Sequence, residues 1–241
     1  MKKLSINNLS LNNLSLNKSS IKKQTLPFAI LSLTAASVIF SPNAAASELS
    51  ANVGFTSNYL WRGMEQTGGD AAVSGGIDFS NDSGFYVGTW ASNASWASGM
   101  TYELDFYGGF AGKLSESVEY DIGFIYYAYP DETSGNADFS EIYGSVSFDT
   151  GLSLGLAVLV DGEGADAGDT LYASADYEFT VGNNATVNVH LGSYSGDWLA
   201  EDMIEYGVSL SKSGFTFGVS DTDMDGDDVK VYVSYSMDIE L

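Results

Sequence analysis

The sequence has no cysteine, one histidine and three prolines among its 241 residues. Without cysteine the chain can form neither disulfides nor thiolate catalytic centres. Basic residues are also scarce, because nine Lys and Arg stand against 32 Asp and Glu, which gives a formal net charge of −23. Nucleic-acid binding depends on Lys and Arg that neutralise phosphates, so this charge balance excludes a nucleic-acid partner.

The first 46 residues have the pattern of a secretory signal peptide. Five lysines precede an apolar run over residues 26–40, and small residues follow, ending in three alanines at 44–46. The apolar run is too short to cross a membrane as a helix, which needs about 20 residues. We therefore predict a signal peptide over residues 1–46, cleaved after Ala46, and a single mature domain over residues 47–241.

The last thirteen residues, 229–241, alternate strictly between apolar and mostly polar side chains. A period of two is typical of a β-strand with one apolar and one wet face, and about 9–11 residues suffice for a tilted strand to cross a bilayer. No apolar run of the predicted mature chain reaches the length of a spanning helix, so a membrane role would come through strands. Strands of this kind at a C-terminus are typical of outer-membrane barrels. We expect outer-membrane lipid and the barrel-assembly machinery as partners, whereas the pattern does not specify an oligomeric state.

Similar alternation recurs along the mature chain and predicts about twelve strands. They cover residues 50–62, 71–80, 85–92, 101–111, 118–129, 139–148, 152–160, 170–180, 185–194, 203–212, 214–220 and 229–241. Short connections rich in Asn, Asp, Gly and Ser alternate with longer ones, which is the layout of an outer-membrane barrel. The predicted fold class is all-β: a transmembrane antiparallel β-barrel with short periplasmic turns and longer extracellular loops.

The phase of the alternation separates the acidic residues of the strands from the apolar ones. If the apolar residues face lipid, the acids face the lumen, and a charge on the lipid face would cost up to a few kcal/mol. The predicted lumen-lining acids are Asp78, Glu103, Asp105, Glu119, Asp121, Glu141, Asp176, Glu178, Glu205, Asp238 and Glu240. Only Arg62 and Lys230 are predicted to share this face as cationic partners, so many carboxylates would need water or bound cations. We predict a water-filled lumen that prefers cations.

Several motifs in the first half of the mature chain resemble the motifs of a known protein family. They include Tyr59-Leu60-Trp61-Arg62-Gly63, Gly75-Gly76-Ile77-Asp78, Gly84-Phe85-Tyr86-Val87-Gly88-Thr89-Trp90 and Glu103-Leu104-Asp105-Phe106-Tyr107-Gly108-Gly109. Through these motifs, residues 49–130 resemble the TorF-like porins. The resemblance implies an outer-membrane barrel that acts as a channel, and it does not indicate which solute the channel transports.

The acidic stretch 221–228 begins like a calcium-binding loop. Asp221, Asp223, Asp225 and Asp227 alternate along it, and Gly226 stands at the sixth position. The twelfth position holds Tyr232 where such a loop has a bidentate Glu, which favours a solvated acidic hairpin tip over a calcium site. We expect no cofactor, with Ca²⁺ at this loop as the alternative.

His190, the single histidine, is predicted to face the lumen. Outer-membrane lipases pair a His with a Ser on the outer surface, and the inward phase of His190 does not fit that arrangement. We therefore expect a channel for passive diffusion of ions or small polar solutes, preferably cations, and no enzyme. One alternative is a non-conducting barrel whose acidic loops bind a partner or divalent cations. The other is an outer-membrane hydrolase.

Overall fold

The computed structural model describes residues 47–133, 135–197 and 201–241, so the predicted signal peptide lies outside the described residues. The described residues form fourteen β-strands. They are β1 (Glu48–Thr56), β2 (Leu60–Trp61), β3 (Met64–Glu65), β4 (Ala72–Ser80), β5 (Phe85–Asn93), β6 (Tyr102–Ser115), β7 (Val118–Ala128), β8 (Phe139–Phe148), β9 (Leu152–Gly162), β10 (Thr170–Val181), β11 (Ala185–Gly196), β12 (Met203–Lys212), β13 (Phe215–Thr222) and β14 (Lys230–Glu240).

Twelve of these strands form one closed antiparallel barrel, which confirms the predicted fold class. Each strand from β4 to β14 pairs with the next along the chain, and β1 closes the barrel by pairing with both β4 and β14. In the closing register, Val53 lies opposite Gly75 on one side and Met237 on the other. The described residues include no helix long and apolar enough to cross a membrane.

The strands present apolar side chains outward and polar side chains inward. On the outer face, Ile77, Phe106 and Val208 remain about half exposed, at 51%, 50% and 52%. On the inner face, Glu103 and Glu141 are each only 1% exposed. A soluble protein buries its apolar residues and leaves its carboxylates in water, so this barrel has the opposite arrangement. The faces are those that the alternation predicts.

The connections differ in length between the two ends of the barrel. One end, which we call the turn end, carries the short turns at 81–84, 116–117, 149–151, 182–184 and 213–214. The other, the loop end, carries the longer connections, as the sequence predicts. At the turn end, Gly84 has φ +85°, and a Cβ there would lie 2.2 Å from the carbonyl oxygen of Ala111. Only glycine fits this close approach of two backbones.

The first long connection folds back into the barrel. The predicted strand 50–62 is wrong at its end, because β1 stops at Thr56 and the chain then forms the separate β2–β3 hairpin. Arg62 and Gly63 make the turn with φ values of 49° and 74°, the left-handed pair that a tight two-residue hairpin requires. We call residues 57–70 the plug hairpin.

Candidate functional site

Aromatic contacts hold the plug hairpin inside the barrel. The ring of Trp61 lies edge-on to Tyr127, Phe139 and Tyr194, with centroid distances of 6.0, 5.7 and 5.7 Å. These three residues belong to β7, β8 and β11, whereas the hairpin connects β1 to β4. The hairpin therefore crosses the interior and contacts the far wall of the barrel.

Arg62, at the tip of the plug hairpin, is clamped to that wall. Its Nη1 and Nη2 donate to the two carboxylate oxygens of Glu141 at 2.8 and 2.7 Å. Its Cζ lies 4.2 Å from the ring centre of Tyr172 and 4.7 Å from that of Tyr194. Burial alone would lower the pKa of Arg62, but the adjacent Glu141 outweighs this effect and raises it, so the guanidinium stays charged. One acidic charge of the lumen is thus neutralised by a bidentate pair.

Tyrosine hydroxyls bind four of the predicted lumen-lining carboxylates. The donor and acceptor pairs are Tyr59 to Glu103 at 2.9 Å, Tyr86 to Asp121 at 2.6 Å, Tyr107 to Asp78 at 2.5 Å and Tyr172 to Glu205 at 2.5 Å. The sequence predicted the cations Arg62 and Lys230 as partners and did not predict these four tyrosine donors. Neutral phenol groups supply the donors that scarce cations do not.

His190 lies between two carboxylates in the middle of the lumen wall. Its Nδ1 is 2.8 Å from Asp176 and its Nε2 is 3.3 Å from Glu205, while the hydroxyl of Tyr172 is 3.2 Å from Nε2. A histidine can donate from both ring nitrogens only when it is protonated. The geometry suits an imidazolium, which would be a second cation among the acids.

Inward glycines make room for the tyrosine rings. Gly88 lies opposite Tyr107 and Gly218 lies opposite Tyr232 in the strand register. A Cβ at Gly88 would be 2.5 Å from the Tyr107 ring, and one at Gly218 would be 2.2 Å from the Tyr232 ring. Each ring therefore occupies space that any larger residue on the neighbouring strand would take. The sequence signal for this packing is an inward Gly opposite an inward Tyr, which is visible only once the register is known.

The interior differs between the two halves of the barrel. In the loop half, the plug hairpin covers Glu103, Asp105, Glu141 and Glu205, which are 1–5% exposed. In the turn half, the inward acids are partly or fully exposed to solvent. We call this open half the vestibule and define it by Asp78, Asp121, Glu178, Asp238 and Glu240. Carboxylates that can act on a solute in water therefore lie mainly in the vestibule.

A small polar cavity of about 50 Å³ lies against the plug hairpin. Its lining includes Arg62, Tyr172, Asn188, His190 and Glu205. A polar cavity of this size holds a few water molecules. The loop half is therefore narrow at the level of the hairpin.

Comparison with protein families identifies the chain. The family model described as "Bacterial protein of unknown function (Gcw_chp)" matches residues 41–239. The chain belongs to this family. No curated protein matches the sequence of this Gcw_chp protein.

Two solved structures have a similar fold, and one of them is a porin. The KdgM porin in complex with disordered oligogalacturonate has a TM-score of 0.50 and 11% identity, over 81% of this chain and 99% of that one. A structure from work on the in-meso crystallization of membrane proteins has a TM-score of 0.50 and 10% identity, over 80% of this chain and 84% of that one. At these identities the likeness shows that the Gcw_chp chain shares a barrel fold with them.

Glu119 lies at the mouth of the turn end, not deep in the lumen. Its carboxylate is 3.4 Å from the Nζ of Lys113, and both side chains are more than half exposed. The predicted strand 101–111 does not include this partner, because β6 continues to Ser115. A surface pair of this kind contributes little to stability.

Lys230 lies at the loop end of β14, where its ammonium group binds the carboxylate of Asp227. Burial alone would raise the pKa of Asp227, but hydrogen bonds from Lys230 and Thr222 outweigh it and hold that pKa below its usual value. Lys230 therefore fixes the neighbouring loop to the barrel rim and does not reach toward the carboxylates of the vestibule.

Three of the four aspartates of the possible calcium loop, Asp221, Asp223 and Asp227, accept hydrogen bonds from other groups. Asp221 was predicted in a loop, which is wrong: it lies in β13 opposite Tyr206 and accepts that residue's hydroxyl at 3.1 Å. Asp223 accepts the backbone N–H of Ile204 at 2.7 Å. Within residues 47–133, 135–197 and 201–241, no group of three or more His, Asp or Glu side chains could hold a metal ion. In this arrangement Asp221, Asp223, Asp225 and Asp227 do not form a common set of ligands.

Proposed function

We propose that the chain is an outer-membrane channel for passive diffusion of ions and small polar solutes, with a preference for cations. The observation that carries this proposal is the inside-out barrel, whose outer face is apolar and whose inner face is lined with carboxylates. An apolar outer band suits a lipid bilayer, and a polar interior suits a path for water. The predicted signal peptide and the C-terminal strand are consistent with export and with insertion by the barrel-assembly machinery.

Two likenesses support the channel. The barrel fold is shared with the KdgM porin, and residues 49–130 resemble the TorF-like porins. The motif Tyr59-Leu60-Trp61-Arg62-Gly63, on which that resemblance partly rests, forms the plug hairpin. Its role in the barrel is to narrow the lumen, so we expect a small pore that excludes large solutes.

The preference for cations follows from the vestibule. Five carboxylates line it, among them Asp121 and Glu178, whereas Arg62 and His190 are already paired with acids outside the vestibule. Rings of carboxylates raise the local concentration of cations and repel anions. The KdgM porin was solved with an oligogalacturonate, which is a polyanion. A polyanion would be repelled by the vestibule of the present barrel, so we propose a different class of solute for it.

A non-conducting barrel is the second candidate, and one observation favours it. The plug hairpin fills the loop half so completely that Tyr59 is 2% exposed and Arg62 is 4% exposed. If the hairpin never moves, the barrel would pass no solute. Its function would then be the binding of a partner or of divalent cations by the acidic loops at the loop end.

Single-channel recording separates the two candidates. The refolded barrel is inserted into a planar lipid bilayer, and its insertion is checked by protection of the strands from protease. Discrete current steps are the expected result. An inserted and folded barrel that passes no current would overturn the channel and leave the non-conducting barrel.

A further inference from the structure

The far wall of the barrel holds a site shaped for a guanidinium group. Glu141 of β8 offers both carboxylate oxygens to one planar donor, at 2.8 and 2.7 Å. The rings of Tyr172 and Tyr194 face the same group at 4.2 and 4.7 Å. All three wall residues are at least nine-tenths buried. We call Glu141, Tyr172 and Tyr194 the wall site.

The group that fills the wall site does not belong to the wall. Arg62 reaches it from the plug hairpin, whose two short strands pair only with each other. Arg62 also adopts φ 49°, a left-handed backbone conformation that is unfavourable for residues other than glycine. The hairpin therefore carries a side chain that occupies a site formed by three strands of the barrel wall, β8, β10 and β11.

We propose that the wall site recognises solutes that bear a guanidinium group, and that Arg62 occupies it until such a solute competes. This inference rests on the proposed function, since the solute enters through the lumen. It goes further by naming the chemical class, organic cations with a planar guanidinium. Competition for Glu141 would release the tip of the plug hairpin and widen the loop half.

The geometry selects a guanidinium over an ammonium ion. Two parallel N–H donors match the two oxygens of Glu141, and a flat cation stacks on the aromatic rings. An ammonium group is a compact point charge that cannot make the same paired contact. Tyr127 adds a neutral donor, with its hydroxyl 3.5 Å from the Glu141 carboxylate.

Chemical rescue of Arg62→Ala tests the site. This variant leaves Glu141 buried without its cation, so its thermal unfolding temperature in detergent micelles should fall below that of the wild type. Ethylguanidinium at millimolar concentration should raise the unfolding temperature of the variant more than that of the wild type, in which Arg62 competes for the same site. Ethylammonium at the same concentration should raise it less. Equal shifts from the two cations, or no shift from either, would overturn the proposal.

Two further variants serve as controls. Arg62→Ala/Glu141→Gln keeps the space but removes the carboxylate, so ethylguanidinium should not raise its unfolding temperature. Lys230→Ala removes a cation from the Asp227 pair outside the wall site, and it should show no rescue either. Rescue of either control would contradict a specific site. If Arg62→Ala does not refold, Arg62→Gly replaces it, because glycine adopts the φ of 49° at this position without strain and also leaves the wall site empty.

Recording in planar bilayers distinguishes failure of this site from failure of the channel. Ethylguanidinium should reduce the current through Arg62→Ala at least several-fold more than the current through Arg62→Ala/Glu141→Gln. Thermal rescue in a barrel that passes no current would keep the wall site and overturn the proposed function. A cation-selective current without thermal rescue would overturn the wall site and keep the channel.

Discussion

Tyr107 on β6 lies directly opposite Gly88 on β5, and its ring takes the space that a side chain at Gly88 would need. From this position the Tyr107 hydroxyl donates to Asp78, which faces inward on the neighbouring strand β4, at 2.5 Å. Gly123 with Tyr143 and Gly218 with Tyr232 repeat the same opposition. The glycines thus let the tyrosines cover the inner wall, and Tyr107 in addition binds a carboxylate there.

Gly88→Ala should destabilise the barrel, because the added Cβ would lie 2.5 Å from the ring of Tyr107. Overpacking of this kind typically costs about 1–3 kcal/mol. Gly144→Ala is the matched control, since its Cβ would meet no atom closer than 3.6 Å. Urea unfolding in lipid vesicles measures both variants. Equal stabilities for the two would show that the Tyr107 ring does not need the space at Gly88.

Val208 and Ser209 are neighbours on β12 that face opposite sides of the wall. Val208 is 52% exposed on the outer face, whereas Ser209 lines the polar cavity. A lysine at a lipid-facing position near the bilayer midplane costs about 2–4 kcal/mol. The free energy of unfolding measured in lipid vesicles should therefore fall by that amount in Val208→Lys. It should fall by less in Ser209→Lys. The reverse order would mean that the outer face is not in contact with lipid.

The Asp227–Lys230 pair should respond to acid in a defined direction. The pKa of Asp227 is lowered in the folded protein, so the pair stabilises the loop above the unfolded pKa of an aspartate and is lost as pH falls through the folded pKa. Carbon-13 NMR of the Asp227 carboxyl should give a titration midpoint below the usual value near 3.9. In Lys230→Met the midpoint should rise. An unchanged midpoint would show that Lys230 does not hold this carboxylate.

Removal of the plug hairpin should widen the pore. Thr56 and Ala72 lie opposite each other in the β1–β4 register, so a short Gly-Ser linker can replace residues 57–71 without opening the barrel. Single-channel conductance of this variant should exceed that of the wild type. Shortening of the loop 223–229, which lies outside the lumen wall, is the matched control. Equal conductance in the wild type and the hairpin deletion would show that another element limits the current.

The strands and the two faces of the barrel could be predicted from the sequence because both are local properties. A period of two over residues 229–241, for instance, specifies a strand with one apolar face without any knowledge of its neighbours. The end of β1 could not be predicted in the same way. Residues 56–61 are three polar residues followed by three apolar ones, with no Gly or Pro to mark the end of the strand. The reversal at Arg62 and Gly63 lacks the Asn-Gly or Asp-Gly pair that favours such turns.

The partners of the lumen residues were beyond prediction for another reason. Arg62 and Glu141 are 79 residues apart, and Tyr59 and Glu103 are 44 apart. Such pairs depend on barrel register and on the inward fold of the plug hairpin, and a single sequence specifies neither. The tyrosines were visible in the sequence, but their phase alone does not show which carboxylates they reach.

The reversal potential of the refolded barrel under a potassium chloride gradient tests the central proposal most directly. We predict a reversal potential with the sign expected for a pore that passes potassium more easily than chloride. The reason is that the vestibule carboxylates are open to solvent and have few cationic partners. Neutralising Asp78, Asp121, Glu178 and Asp238 with Asn or Gln should move that potential toward zero, whereas Glu119→Gln at the mouth should move it less. A potential set by chloride in the wild type would contradict a cation-preferring channel.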